Sequence, residues 1–256
     1  MADSRRIWLT GASSGIGAHM AETLLKSGAR LALTARSVEP LRDFSERYPG
    51  QVMVVPGDLS DHQQVREIGM RIAQNWGALD TVILNAGTCE YIDAQQFDAA
   101  LFERVVRINL LANSYCLEIA LPLLRAGSRP HLVGMVSSVT YWALPRAEAY
   151  GASKAGLRYL LESLRIDLAQ DGIDVTLVSP GFVDTPLTEK NDFPMPLRWP
   201  APKAAQHICR RLEKRPLEIA FPTLFIACLR LLASLPKCLQ VALGKRLART
   251  TDGKKT

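Results

Sequence analysis

The sequence predicts an α/β fold in which a doubly wound parallel sheet is covered by helices on both faces. Short apolar runs alternate with segments of helical periodicity along most of the 256 residues. The runs at 52–55 and 81–84 consist almost entirely of Val, Ile, Leu and Met, as expected for strands that are buried on both faces. A glycine-rich turn, Gly11-x-x-x-Gly15-x-Gly17, joins the first apolar run to the first helical segment.

The individual elements follow from the same alternation. Short apolar runs bounded by polar or turn-forming residues predict strands near 5–10, 29–35, 51–56, 79–84, 131–137, 173–178 and 217–221. Apolar residues at helical spacing predict helices near 15–27, 38–47, 61–76, 98–126 (with a break), 149–170 and 202–214. Four of these helical segments are followed by a glycine, where a left-handed cap is favoured: Gly28, Gly77, Gly127 and Gly172.

The segment 182–200 differs from the rest of the chain because it is rich in proline and in bulky apolar side chains. A connection of this length inside a compact domain is usually a functional loop. It follows the sixth strand, so we expect it over the carboxyl ends of the sheet as a substrate lid. The predicted organisation is therefore an α/β domain over 1–221, with the lid near 182–200, and a basic, apolar helical extension over 222–256.

The net charge of +6 is distributed unevenly. Residues 203–256 hold 12 Lys and Arg against 3 Asp and Glu, whereas the remainder holds 19 against 22. The five cysteines form no C-x-x-C pair and the four histidines have no metal-ligand spacing, which predicts reduced, buried thiols and no metal site. No apolar signal segment is visible near residue 1, so the expected location is the cytoplasm.

Two motifs suggest the chemistry. Tyr150 and Lys154 lie four residues apart, so on a helix the phenol and the ammonium share one face. The glycine-rich turn between a strand and a helix is suited to a pyrophosphate, because the helix directs its first amides towards it. A nucleotide site beside a proton-transferring pair predicts a dinucleotide-dependent oxidoreductase.

Further motifs follow in a characteristic order: Asp58-Leu59, Asn85-Ala86-Gly87, Asn109, Ser137-Ser138, Tyr150/Lys154, Pro180-Gly181 and Thr185-Pro186. With these motifs the chain resembles the classical branch of the short-chain dehydrogenase/reductase family over about residues 5–200. The resemblance implies a Rossmann fold with strand order 3-2-1-4-5-6-7 and a nicotinamide cofactor. It also implies a homodimer or homotetramer assembled through the helices at 98–126 and 149–170.

The cofactor is predicted to be NADP(H). Arg36 ends the second strand where NAD-specific sites carry an acidic residue, and a guanidinium there would bind the 2′-phosphate. By resemblance Asp58 would bind the adenine amino group, although Asp58 or Ser60 could equally cap the following helix. The predicted cofactor-binding residues are Gly11, Ser13, Ser14, Gly15, Ile16, Gly17, Arg36, Asp58, Leu59, Asn85, Ala86, Gly87, Tyr150, Lys154, Pro180, Gly181, Val183 and Thr185.

The predicted catalytic residues are Tyr150, Lys154, Ser138 and Asn109. Tyr150 would transfer the proton, and the Lys154 ammonium is expected to favour the phenolate. By resemblance a serine binds the reacting oxygen and Asn109 anchors a water relay to Lys154. Counting back from Tyr150 by the spacing usual in this family selects Ser137, whereas counting forward from the preceding strand selects Ser138. We choose Ser138, which implies that the loop between it and Tyr150 is one residue shorter than is usual in the family.

The substrate is expected to be an apolar alcohol or ketone. Trp142 and Leu144 would face lid residues such as Phe182 across the cleft, and Val183 lies beside the cofactor site. The competing hypotheses are a non-catalytic NADP(H) sensor and a scaffold recruited to a membrane through the basic extension. No nucleic-acid-binding motif is visible. The extension is expected either to cover the substrate cleft or a subunit interface with its charges facing water, or to contact the inner face of a membrane peripherally.

Overall fold

A computed structural model describes residues 4–189, 191 and 193–247. Seven parallel strands form the main sheet: β1 (Arg6–Thr10), β2 (Arg30–Thr34), β3 (Val52–Val54), β4 (Thr81–Leu84), β5 (His131–Met135), β6 (Asp174–Pro180) and β9 (Glu218–Phe221). Two short strands, β7 (Val183–Asp184) and β8 (Trp199–Pro200), form a separate parallel pair. The main sheet has the order β3-β2-β1-β4-β5-β6-β9, which confirms the predicted doubly wound topology.

Helices cover both faces of the sheet. They are α1 (Gly15–Lys26), α2 (Glu39–Arg47), α3 (His62–Trp76), α4 (Ala99–Val106), α5 (Ala112–Arg125), α6 (Glu148–Asp167), α7 (Ala201–Leu212), α8 (Thr223–Ser234) and α9 (Lys237–Leu247). Buried residues of α1, α2 and α7 pack on one face, and those of α3, α5 and α6 pack on the other. Along β1, Ile7 and Leu9 enter the first layer while Trp8 enters the second, as the alternation of a strand requires.

The predicted break in the helix over 98–126 is a π-helical turn at Arg107–Leu111, which joins α4 to α5 without interrupting the helix. Among the predicted cap glycines, Gly28, Gly77 and Gly172 have positive φ. Gly127 does not; instead, a Cβ there would lie 1.9 Å from the Leu79 carbonyl oxygen. Close approach to the strand at Leu79, and not a left-handed cap, therefore requires glycine at this position.

The extension after β9 consists of two helices, α8 and α9. The predicted extension also includes residues 248–256, which lie outside the described part of the chain. Within the described residues, no helix combines the length and the apolar character needed to cross a bilayer. The Gly181 amide, directly after β6, donates to the carbonyl oxygen of Phe221 at the end of β9 over 2.7 Å. This hydrogen bond places the start of α8 beside the start of segment 182–200.

Candidate active site

A cleft of about 990 Å³ opens at the carboxyl ends of the parallel strands. Its walls come from the loops that follow β1 to β6, where the topology reverses direction across the sheet. Every residue predicted to bind the cofactor lies along this cleft. Segments that are up to about 170 residues apart in the sequence are thus brought to one edge of the sheet.

The glycine-rich turn leaves a cradle that a side chain would fill. A Cβ on Gly17 would lie 2.1 Å from the Gly11 carbonyl oxygen, and Gly11 itself has a φ of +67°. Ser14, which precedes α1, makes no side-chain capping hydrogen bond. The first amides of α1 therefore face the cleft without a capping side chain, which is the arrangement that binds a phosphate group.

Hydrogen bonds of Asn85 and Thr10 hold the glycine-rich turn in place, and only Asn85 was predicted from the sequence. The Asn85 side chain donates from Nδ2 to the carbonyl oxygens of Thr10 and Gly11, both over 3.0 Å. The Thr10 hydroxyl oxygen accepts from the amides of Asn85 (2.9 Å) and Ala86 (3.1 Å). Thr10 was not predicted as a site residue; the available signal was a threonine that ends the first apolar run, directly before Gly11.

Arg36 and Asp58 stand at the end of the cleft formed by β2 and β3. Arg36 is exposed and makes no ion pair with the part of the chain that the structure describes. Asp58 Oδ1 accepts from the amide (2.9 Å) and the hydroxyl (2.8 Å) of Ser60. The cap of α3 is Asp61, whose carboxylate accepts from two first-turn amides, so the alternative in which Asp58 or Ser60 caps this helix is wrong.

Tyr150 and Lys154 lie one turn apart on α6 and both line the cleft. Lys154 is buried, and its Nζ donates to the Met135 carbonyl oxygen at the end of β5 over 2.8 Å. A Cβ on Gly87 would lie 3.3 Å from this Nζ. The absence of a side chain at Gly87 therefore keeps the lysine close to the end of β4.

Asn109 lies in the π-helical turn and is fully buried. Its Oδ1 accepts from the Thr88 amide over 2.7 Å, and its Nδ2 donates to the Thr88 carbonyl oxygen (2.8 Å) and to the Ser153 hydroxyl (2.9 Å). The side chain thus holds the loop after β4 against α6. It does not itself line the cleft.

Comparison with known proteins is consistent with this geometry. The sequence profile described as short chain dehydrogenase matches residues 5–194. The chain belongs to the short-chain dehydrogenase family. An uncharacterised oxidoreductase of Myxococcus xanthus is 31% identical over 95% of this chain and 97% of its own length.

Two solved structures extend the comparison. A short-chain dehydrogenase from Streptomyces avermitilis superposes with a TM-score of 0.81 at 23% identity, covering 96% of this chain and 95% of its own, and it supports the fold. The RhlG/NADP active-site complex of Pseudomonas aeruginosa has a TM-score of 0.79 at 26% identity, covering 88% and 97%. The chain is therefore an oxidoreductase of a family that binds nicotinamide cofactors.

In this short-chain dehydrogenase, the serine that lines the cleft is not the one chosen from the sequence. Ser137 lines the cleft, and hydrogen bonding to its side chain lowers the pKa of Tyr150. Ser138 begins a short 3₁₀ turn, Ser138–Thr140, and is absent from the cleft wall. The geometry thus favours Ser137, the residue obtained by counting back from Tyr150, because Ser138 has already turned away with the loop.

The electrostatics of the pair also differ from the expectation. Burial raises the pKa of Tyr150, the nearby Cys89 adds to this effect, and the hydrogen bond with Ser137 opposes it. Burial lowers the pKa of Lys154 to about 8, so the amine remains mostly protonated at neutral pH. The expected lowering by the Lys154 ammonium does not dominate at Tyr150, and the phenol is neutral in this environment.

The lid segment contacts the cleft through aromatic and polar groups. The Tyr91 hydroxyl donates to Asn191 Oδ1 over 2.8 Å, and the rings of Tyr91 and Phe193 meet edge to face at 5.5 Å. Trp142 is buried and, like Leu144, does not line the cleft, so the expectation that they face the lid across it is wrong. The wall carries instead apolar and charged residues around Tyr150: Cys89, Tyr91, Leu101, Ile108 and Leu187, with Glu90, Arg104 and Arg146.

A hydrogen-bond network behind the Ser137 loop went unrecognised in the sequence. Thr140 Oγ1 donates to the Ser137 carbonyl oxygen (2.8 Å) and accepts from Arg158 Nε (2.9 Å). The Arg158 guanidinium also forms an ion pair with Glu218 of β9, which accepts from the Tyr141 hydroxyl over 2.6 Å as well. This network ties the loop that carries Ser137 to α6 and to the edge strand.

No group of ligands suited to a metal ion occurs among the described residues.

Proposed function

We propose that this protein is an NADP(H)-dependent oxidoreductase that interconverts an alcohol and the corresponding carbonyl compound. The main support is that Tyr150, Lys154 and Ser137 lie in one wall of a cleft. This cleft leads to the N-terminal end of α1, which has no capping side chain, and to Arg36. The uncapped amides and the cradle at Gly17 fit a diphosphate. When bound, the nicotinamide would supply or accept the hydride.

The protein's own residues would handle the proton and the substrate oxygen. In the direction of reduction, Tyr150 Oη donates its proton to the carbonyl oxygen while Ser137 hydrogen-bonds the same oxygen. The raised pKa of Tyr150 keeps the phenol protonated and ready to act as this acid. Lys154 holds positive charge beside the phenolate that forms, and Asn109 keeps the adjoining Thr88 backbone in place.

Arg36 supports NADP(H) as the cofactor. It is an exposed cation on the cleft wall without an ion-pair partner among the described residues, directly after the buried Ala35. A 2′-phosphate would bind the guanidinium by charge-assisted hydrogen bonds, whereas NAD offers only a hydroxyl there. The solved RhlG structure, an NADP complex, is in accord with this assignment.

The substrate would carry its reacting group on an apolar body. Leu101, Ile108 and Leu187 provide apolar surface in the cleft, and Tyr91 joins it to the lid. Segment 182–200 would close over this part of the cleft, since Asn191 contacts Tyr91 from the lid side.

We also propose a homodimer or homotetramer formed through α6. Tyr159 and Ile166 are each 77% exposed and stand seven residues apart, on one face of this helix. Light scattering after size exclusion should give a mass that is a multiple of the monomer. Tyr159→Glu with Ile166→Glu should reduce that mass.

The decisive experiment tests proton transfer. NADPH oxidation would be followed with a panel of aldehydes, ketones and 3-oxoacyl thioesters for the wild type and Tyr150→Phe. The variant should bind NADPH and lose about two or more orders of magnitude in turnover. Tyr48→Phe, at a tyrosine that directly follows α2 and does not line the cleft, is the matched control. Undiminished turnover of Tyr150→Phe on an accepted substrate would overturn the catalytic assignment.

Cofactor choice is tested separately by binding titrations. Arg36→Ala should weaken NADPH about tenfold or more and leave NADH nearly unchanged, because only NADPH carries the 2′-phosphate. Ala35→Asp should shift the preference towards NADH by repelling that phosphate. Equal affinity of the wild type for both cofactors would contradict the NADP(H) proposal without touching the catalytic one.

A further inference from the structure

The two helices after β9 present an apolar surface to solvent. On α8, four residues at the spacing of one helical face are exposed: Leu224, Ala227, Cys228 and Leu231. Leu224 is 66% and Leu231 67% exposed. Cys228 here and Cys238 on α9 are exposed as well, so the prediction of buried thiols is wrong for these two. The opposite face of α8 is packed, with Ile226 and Leu229 buried. The helix thus has two apolar faces, of which the protein covers one.

On α9, Leu239 is 49% and Val241 55% exposed. These two residues are two positions apart and therefore lie on different sides of that helix. We call the exposed apolar face of α8, formed by Leu224, Ala227, Cys228 and Leu231, the tail surface. Apolar side chains scattered singly over a protein are ordinary, but a contiguous apolar patch marks a site of interaction. The tail surface therefore calls for a partner.

The charged residues of α8 and α9 all have one sign. Residues 219–251 contain no Asp or Glu. The exposed charged residues on α8 and α9 are Arg230, Lys237, Lys245 and Arg246. Arg230 forms an ion pair with Glu218, whose carboxylate already pairs with Arg158. The two helices consequently carry only positive charges, and the neighbouring Glu218 is already paired with two arginines.

This combination argues against a second copy of the chain as the partner. A symmetric pair of tail surfaces would bring α8 and α9 cations together with no carboxylate from either segment to oppose them. The chain's own residues 248–256 offer no cover either, because alanine is their single apolar residue. A partner of the tail surface must therefore offer both an apolar region and negative charge.

We propose that the tail surface binds the interface of an anionic lipid bilayer, with α8 and α9 lying flat on it. The leucine side chains of the tail surface would enter the acyl boundary while Lys237, Lys245 and Arg246 contact lipid phosphates. The helices have 12 and 11 residues, so each is roughly 17 Å long, far less than the roughly 30 Å of a hydrocarbon core. Peripheral binding is thus the geometry open to them.

Docking in this way would place the cleft close to the membrane. Phe225 of α8 packs against Phe182, the first residue of the lid segment, with ring centroids 5.4 Å apart. A Cβ on Gly181, which lines the cleft, would lie 2.8 Å from Phe225 Cδ1. The packed face of α8 therefore adjoins the cleft while its exposed face is directed outward.

The test is flotation of the full-length protein with vesicles of phosphatidylcholine alone or mixed with phosphatidylglycerol. At low salt the protein should float with the mixed vesicles and not with the neutral ones, and high salt should release it. Lys245→Glu with Arg246→Glu should weaken binding about thirtyfold or more, since each cation near such a surface contributes roughly fivefold. Leu224→Glu with Leu231→Glu should abolish it.

Two controls keep the result interpretable. Met70→Glu with Phe97→Glu introduces the same charge at apolar side chains that are 53% and 58% exposed elsewhere, and it should float like the wild type. Thermal unfolding establishes that each variant is folded. Absence of flotation at low salt, equal binding to neutral vesicles, or retained binding by both tail-surface variants would overturn the proposal. A loss of oligomer mass in those variants without any vesicle binding would show that the surface joins copies of the chain.

Discussion

The buried histidine of β5 should make the protein's stability depend on pH. His131 is 1% exposed, and its Nε2 lies 2.8 Å from the Thr176 hydroxyl oxygen. That hydroxyl donates to the Pro216 carbonyl oxygen over 2.6 Å, so it accepts from the imidazole. Burial, together with the charge of Arg215, lowers the pKa of His131 from 6.5 to about 4.

The direction of the effect follows from proton linkage. The unfolded chain protonates this histidine near pH 6.5, while the folded state keeps it neutral down to about pH 4. The contribution of neutral His131 to the free energy of unfolding is fully present above its pKa in the unfolded chain. It is lost as the pH falls towards its pKa in the folded state. The difference corresponds to about 3 kcal/mol in total, of which about 2 kcal/mol is lost between about pH 7 and about pH 5.

Urea unfolding of the wild type and of His131→Gln measures this contribution. Glutamine retains an N–H donor for Thr176 but does not titrate, so its free energy of unfolding should fall by about 2 kcal/mol less over the same interval. His207, whose pKa burial also lowers, is common to both proteins and cancels in the comparison. Identical pH dependence of the two proteins would refute the reasoning.

Three further predictions concern the site and its support. Ser137→Ala should lower carbonyl turnover about a hundredfold or more, while Ser138→Ala stays near the wild type; the reverse order in steady-state kinetics would restore Ser138. Gly17→Ala would bring a Cβ within 2.1 Å of the Gly11 oxygen, so NADPH affinity in fluorescence titrations should fall about tenfold or more. Gly244→Ala, with open space around it, is its control. Arg158→Met should lower the free energy of unfolding by about 3 kcal/mol, because Glu218 loses a partly buried ion-pair partner. Adding Glu218→Gln should recover part of that loss, and simple additivity in denaturant unfolding would argue against the coupling.

Sequence alone determined the architecture because its signals are local and periodic. A parallel strand buried on both faces appears as an apolar run, as at 81–84, and a covering helix appears as an amphipathic one. The spacing of Tyr150 and Lys154 is local in the same sense, since residues four apart share a helical face wherever the helix lies. These signals were sufficient for the sheet, its order by resemblance, and the edge that carries the cleft.

Tertiary structure decided everything that depends on the path of a loop or on a distant partner. Ser137 and Ser138 are adjacent, and the path of the chain between β5 and α6 places one in the cleft and removes the other. Arg158 meets Glu218 across 60 residues, and no local pattern encodes such a pair. The exposure of Leu231 beside the burial of Leu229 likewise depends on which face of α8 meets the sheet, because an all-apolar helix carries no periodic signal of its own orientation.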